Sequence, residues 1–315
     1  MPSAASMHEL DASQVHHEWN NAIAPRLEIE PGDTVVFQTR DAADLYYSRA
    51  STHADVLNRG PFRGHPLTGP VRVRGAEPGD VLAIEILDMK PDADFGWTSI
   101  RPGRGLLPES DFSKPFLQIW DLSDGTHARM DRRVAVPIEP FPGVVGTALD
   151  EPGGHSTMPP RKNGGNMDIK QLTRGTTLYL PVWVPGALLS VGDGHGAQGD
   201  GEVCVTAVEM RAKVTLRIGL QKGRHLPEPQ FRTTRPLAPG TNTAPWYATT
   251  AHGPDLFEAS QRAVRHMIDH LVRERGFSRE EAYIVCSVAA DLKISEIVDA
   301  PNWIVSAFMP DSIFV

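Results

Sequence analysis

Glycine and proline fall between short apolar runs along most of this chain, 28 and 27 of them in 315 residues. That punctuation constrains the fold more than any other feature. Residues of this kind break helices and set turns, so a chain cut this way builds many strands and few long helices. A helical bundle and a long disordered tail both fit it poorly. With 40% hydrophobic and 22% charged residues the composition is that of a globular protein, long enough to bury a large core. A net charge of -8 argues against sequence-independent nucleic-acid binding, which needs a basic surface.

Cys204 and Cys286 lie inside apolar runs and read as buried free thiols. The first twenty residues hold no apolar core of a secretory signal, so none is expected. The most apolar stretch, residues 178–191, is broken by Pro181 and Pro185 and is too interrupted to span a membrane. The expectation is a cytoplasmic protein without a membrane or nucleic-acid partner.

Read in order, the chain opens on a polar arm through Gln14, then His16, His17 and Trp19. Residues 34–39 read as a strand by their β-branched content. Asp41 and Asp44 follow, at a helix start or on a loop that projects carboxylates. Val71 and Val73 alternate with arginines, and residues 81–87 form a second strand pattern. Between them Glu77-Pro78-Gly79-Asp80 fits a type II turn. Residues 95–150 carry Phe95, Trp97, Phe112, Phe116 and Trp120 in a Gly/Pro-rich segment that reads as a lid or covering loop, its aromatics packing irregular chain onto a sheet rather than lining a substrate pocket. Runs at 178–184, 203–208 and 214–220 read as strands. Residues 255–275 form the clearest helix pattern, with apolar residues at three- and four-residue spacings and Gly276 suited to its end. Ser278 and Glu281 then make a capping-box pattern for a second helix. The expected fold is mainly β with a C-terminal α+β portion. Its expected divisions are residues 1–150, 151–222 and 223–315.

Chemistry concentrates between His155 and Glu209, in two glycine-rich turns. The first holds Asn166, Asp168 and Lys170; the second holds Asp193, His195, Gln198, Asp200 and Glu202. Imidazole and carboxylate in short glycine loops suit Zn²⁺ or a similar ion, because glycine lets backbone and ligand approach closely. Asp193 and His195 stand two apart, which puts both on one side of an extended chain. Glu202 sits where the loop enters the next run, able to point back at a bound water. No GxSxG elbow is present, so a metal-activated water is the more economical hydrolytic proposal. Taken singly, each of these residues has an ordinary alternative: a turn carboxylate for Asp193 or Asp200, a hydrogen-bonded structural imidazole for His65 or His195, a loop-bracing lysine for Lys170.

These residues also carry a resemblance. The segments PPRKNGGNMDIK at 159–170 and GDGHGAQGDGE at 192–202 resemble the acetamidase/formamidase family, as do HxxW at 16–19, HPLTGPVRVRGAEPGDVL at 65–82 and IVDAPN at 297–302. The resemblance covers nearly the whole chain. It implies barrel-like or sandwich β-subdomains with an α+β portion, hydrolysis of short amides to carboxylate and ammonia, self-association into a homo-oligomer, and metal in the site. Matched position by position, it points to Asn166, Asp168, Asp193, His195, Gln198 and Glu202, with His65 ahead of a Gly-Pro turn. The chain departs from longer members in lacking an insertion before His155 and a proline-rich lead to residues 286–299.

Together these readings give a metal-dependent amidohydrolase. His65, Asp168, Asp193 and His195 are the expected ligands of Zn²⁺, with Ca²⁺ or another divalent ion as the alternative. Glu202 is the expected acid/base, and Asn166 and Gln198 are expected to bind substrate. The rival readings are a lactam or larger amide as substrate, and a non-enzymatic β module that binds metal or a small ligand. His16 and Asp41 stand outside the metal set as secondary candidates.

Overall fold

A computed structural model describes residues 5–315 of the chain. Its strands collect into two large sheets, with a helical layer at the C-terminal end. The first sheet has the strand order Met7–Leu10, Thr34–Thr39, Ala212–Gln221, Val81–Pro91, Thr177–Pro181, Gln230–Arg232. Only its first pair is parallel; the others named here run antiparallel. Burial alternates along Ala212–Gln221 and much of Val81–Pro91, as expected for a sheet with one face on the core. Val35, Phe37, Leu82, Ile84, Val214 and Leu216 are among the residues that form that inner face.

The second sheet runs Val134–Pro137, His127–Met130, Phe116–Asp121, Phe95–Ile100, Glu209–Met210, Leu189–His195, Phe141–Gly146, Gly164–Asn166. At its centre, every residue of Leu189–His195 is buried. One edge of this strand pairs with Phe141–Gly146. The other is shared end to end by Leu67–Val73 and Glu209–Met210. The register sets His195 opposite Glu209 on one side and opposite Phe141 on the other. A strand enclosed on all sides tolerates the continuous apolar and glycine content of this segment.

The helices follow the sequence closely. Leu256–Arg275 begins on Asp255, whose side chain accepts from the Glu258 N–H, and ends on Gly276 in the left-handed region at φ 67°. Arg279–Ala289 starts with the full Ser278–Glu281 capping box. Both helices pack near the three-stranded sheet Trp246–Gly253, Trp303–Pro310, Asp291–Glu296. The turn at 77–80 is also as read, with Gly79 at φ 93° and the Asp80 N–H donating to the Glu77 carbonyl at 3.0 Å. No helix among the described residues is long and apolar enough to cross a membrane.

Three expectations change. Residues 95–150 are not a covering loop: they supply five strands of the second sheet, and Trp97 and Trp120 are core residues. Residues 203–208 are not a strand, because side chains take their backbone groups. Ser287 Oγ accepts from the Cys204 N–H and donates to the Thr206 carbonyl, and Val205 stands at φ 72°. The division at residue 150 does not separate the two large sheets, since each draws strands from both sides of it. Residues 223–315 do supply the helical layer, but Gln230–Arg232 joins the first sheet.

Because Leu189 is fully buried in the strand that later carries His195, Leu189→Ala is expected to lower unfolding free energy by about 2–5 kcal/mol in a urea titration. A loss well under about 1 kcal/mol would mean the strand is not the packed centre described here.

Candidate active site

The central strand ends in a cluster of buried donors. Asp168, Asp193 and His195 each offer a ligand atom within 4.8 Å of the others', and so do His195, Glu202 and Glu209. His195 Nε2 lies 3.4 Å from Asp193 Oδ2 and 3.3 Å from Glu209 Oε2. Three of the carboxylates stand on left-handed backbone: Asp168 at φ 48°, Asp193 at φ 56° and Glu202 at φ 43°. A non-glycine residue seldom adopts that conformation, and such strain concentrates at functional sites. The glycines on either side of Asp193 and before Glu202 give the chain room for these reversals.

Gly143, on the neighbouring strand, is part of the same construction. A Cβ there would lie 2.7 Å from His195 Cε1 and 2.8 Å from Asp168 Oδ1, so only glycine lets the strand pass beneath the cluster. Its carbonyl accepts from the Met167 N–H at 3.1 Å and holds the Asp168 turn in place.

Gln198 decides the state of His195. Its Nε2 donates to the Asp168 carbonyl at 2.7 Å, so its Oε1 faces His195 Nδ1 at 2.9 Å and accepts from it. The proton on Nδ1 leaves the Nε2 lone pair aimed into the cluster, which is how metal-binding imidazoles are commonly oriented. Both ends of the Gln198 amide are thereby engaged, and the residue does not line the large cavity. Its contacts are those of a residue that positions His195.

The cavity over the cluster has a volume of about 590 Å³. Its lining includes Asp168, Asp193, Glu202, Glu209, His65 and Asn166. Asn166 Nδ2 donates to the Met158 carbonyl at 3.0 Å, so its Oδ1, buried and unpartnered, is the free end. It can accept from an amide N–H, and the second Nδ2–H remains available as a donor. His65 belongs to the cavity wall and not to either donor group. Thr157 Oγ1 anchors it through the His65 N–H at 2.8 Å and Nδ1 at 3.1 Å, leaving Nε2 3.7 Å from Asp193 Oδ2. Its Nε2 thus stays on the side of the cluster, and Glu209 is a further donor beside the expected ligands.

Glu209 was not singled out by sequence reasoning, because it lies seven residues beyond the glycine turn in an apolar run. Only strand register brings it opposite His195. Its Oε1 accepts from the Ala207 N–H at 3.0 Å, which turns Oε2 toward the imidazole. Lys170 bonds Asp291 and lies 3.8 Å from Asp200, a bracing pair beside the site. His16 is held by Ser190 and the Glu18 carbonyl, away from the cavity. Asp41 is buried and accepts from the Ala43 N–H and from Trp97 Nε1.

Charge crowding shifts every member of the cluster. Burial raises Asp168 to about 7, against the pull of His195. It raises Glu209 to about 8, and drives Glu202 well above the usual carboxylate range with Asp168 adding to the push. Burial also opposes ionisation of Asp193, but His195 and His65 outweigh it and hold that carboxyl below its usual range. Burial works against a charged His195 too, yet Glu209 and Asp193 raise it well above its ordinary value.

A model described as the Acetamidase/Formamidase family matches residues 3–152 and 150–315. A formamidase of Methylophilus methylotrophus is 28% identical, covering 96% of this chain and 89% of its own. An acetamidase of Mycolicibacterium smegmatis is 27% identical, covering 86% of this chain and 84% of its own. Among solved structures, a gamma lactamase from Delftia acidovorans superposes with a TM-score of 0.89 at 26% identity, over 98% of this chain and 93% of that one. An acetamidase from Bacillus halodurans superposes with a TM-score of 0.68 at 32% identity, over 96% of each.

The raised carboxylates fix a pH dependence. Folded Asp168 and Glu209 keep their protons to about 7 and about 8, against ordinary values of 3.8 and 4.5. The unfolded chain binds fewer protons in that window, so stability falls as pH rises through it. Chelator-treated protein is expected to show a thermal midpoint that drops from about pH 5 to about pH 8, and a divalent cation is expected to restore it most at the upper end. A midpoint unmoved by pH and by cation would remove the case for a shared ion.

Proposed function

Since the chain belongs to the acetamidase/formamidase family, we infer that it hydrolyses the C–N bond of a short-chain linear amide, releasing carboxylate and ammonia at this cavity. The observation that carries this reading is a set of orphaned atoms. Asp168 Oδ1, Asp193 Oδ1, His195 Nε2 and Glu209 Oε2 are all buried without a hydrogen-bond partner. Atoms of that kind are costly in a dry site unless a cation collects them.

The donor set fits a divalent ion, held by Asp168, Asp193 and His195 with Glu209 as a further ligand. An imidazole among carboxylates suits Zn²⁺ better than Ca²⁺, which takes oxygen ligands. Such an ion, when bound, polarises an amide carbonyl and lowers the pKa of a water. The protein's own groups do the rest. Gln198 keeps the His195 lone pair directed at the ligand position. Asn166 Oδ1 accepts an N–H of the substrate amide and so sets which face of its carbon is open to water. Among the described residues no hydrogen bond holds the Glu202 carboxyl, and its burial favours the protonated form. Glu202 takes the proton of the attacking water and passes it to the departing nitrogen.

Ammonia release from formamide and acetamide, assayed with elemental analysis before and after chelation, tests the reading. Activity that survives complete removal of bound metal would defeat the metal-dependent form of it. For Glu202→Gln, turnover is expected to fall about 10²- to 10⁴-fold with the metal content unchanged. Full activity in that variant would remove Glu202 from the chemistry.

The closer superposition on the gamma lactamase favours a second reading, ring opening of a lactam in the same cavity. A five-membered lactam cleaved faster than any open-chain amide would replace the first reading with this one. We also place the protein in the cytoplasm as a homo-oligomer. Exposed Tyr247, Ile294 and Ile304 on the three-stranded sheet support association, which light scattering would check.

A further inference from the structure

Three arginines line the cavity that holds the donor cluster, and none of them forms an ion pair among the described residues, though buried Asp41 lies near enough to Arg59 to feel its charge. Arg59, Arg101 and Arg104 face it together with the apolar side chains of Phe62, Trp97 and Met158. Among the described residues, no carboxylate oxygen lies within 4.0 Å of any of the three guanidinium groups. Backbone carbonyls hold two of them, Arg59 and Arg101. Arg59 donates to the Ala42 carbonyl at 2.8 Å, with its guanidinium carbon 5.7 Å from the Phe62 ring centre. Arg101 donates to the Gly60 carbonyl at 3.2 Å. Each side chain is half-buried and keeps further N–H donors without a protein partner. Arg101 bonds the carbonyl of Gly60, the residue next to Arg59, so the two side chains start from adjoining points of the cavity wall.

A small neutral amide makes no use of this wall. Acetamide takes up about as much room as four waters, roughly 120 Å³ at about 30 Å³ each. The cavity is several times larger and falls in the range of sites for bigger ligands. Two half-buried guanidinium forks with open donors are instead suited to grip a carboxylate, which matches their geometry and charge.

We propose that the substrate of this site is an amide whose acyl chain ends in a carboxylate, with Arg59 and Arg101 binding that carboxylate, Arg104 adding charge at the rim, and the amide carbon seated over the Asp168–His195 cluster. The proposal rests on the amide-hydrolase reading and narrows it to a substrate class. Water adds to the amide carbon, the C–N bond breaks, and the protons released leave on the nitrogen, so a monoamide monoanion and water give a dicarboxylate and ammonium. The apolar walls between the two ends fit the methylene chain that joins them.

The arginines have one competing use, to balance the acidic lining. Charge balance predicts that removing them weakens neutral and anionic amides alike. A carboxylate site predicts a selective loss.

The test compares kcat/KM for succinamate and glutaramate with neutral straight-chain amides of matching length, on the metal-loaded protein. The anionic amides are expected to lead by at least about tenfold, an advantage that shrinks as salt is added. In the R59Q/R101Q double variant the ratio is expected to fall to about one, with partial recovery in R59K/R101K. Succinate is expected to raise the thermal midpoint of the unmutated protein more than that of the double variant. Neutral amides cleaved as well as the anionic ones, or a ratio unmoved by R59Q/R101Q in folded protein, would overturn the carboxylate site and leave the amide-hydrolase reading standing. If no open-chain amide were cleaved at all, both would fall. The substrate ratio is measured on the unmutated chain, so it decides the matter even where a variant does not fold.

Discussion

Asp168, Asp193, Glu202 and Glu209 are packed around one imidazole, two of them buried and two half-buried at the edge of the cavity, and they cannot all be ionised together. Two like charges about 4 Å apart repel by roughly 4 kcal/mol at the effective dielectric of a protein. A few such pairs would consume the 5–15 kcal/mol that keeps a domain folded. Something must discharge the cluster, either protons or a cation, and the raised values of Asp168 and Glu209 show the direction in which the protein responds when protons do it. A cation does it while leaving the carboxylates as ligands. That exchange is the physical basis for assigning chemistry to this place.

Holding such a cluster together requires a scaffold that is itself well determined. Leu189–His195 has strand neighbours on both edges and is buried along its whole length, so its last residues have little freedom. His195 is then fixed three times over: by register against Phe141 and Glu209, by the edge of the Phe141 ring, and by the Gln198 amide. Gly143 contributes by having no side chain. The strained backbone of Asp168, Asp193 and Glu202 persists because packing around it leaves no relaxed alternative.

The cavity is polarised. Asp168, Asp193, Glu202 and Glu209 line it beside the cluster, while Arg59, Arg101 and Arg104 line it among apolar groups. A ligand with a neutral reacting end and a negative far end would lie along that gradient in one orientation. The gradient therefore bears on which way a substrate enters as well as on how tightly it is held.

Much of this was legible in the residues themselves. The helix over 256–275 announced itself by spacing, by Asp255 at its start and by Gly276 at its end, because those signals are local and repeat every turn. Asp168, Asp193, His195 and Glu202 stood out because the glycines around them mark backbone that must bend sharply. The sheets were harder to read. Residues 95–150 looked like a covering loop because glycines and prolines interrupt five short strands, and only pairing across the sheet makes strands of them. Glu209 lay in an apolar run with nothing nearby to mark it, and the Thr157 hydroxyl that orients His65 lies 92 residues away in the chain. The contacts of Gln198 were also out of reach of the sequence, because one partner of its amide is a carbonyl thirty residues earlier. The sequence by itself determined the kinds of donor group available and the turns that carry them, since residue chemistry and backbone freedom are local properties. Which of those groups meet, and which way their lone pairs point, was decided by strand register and long-range hydrogen bonds that exist only once the sheet has closed.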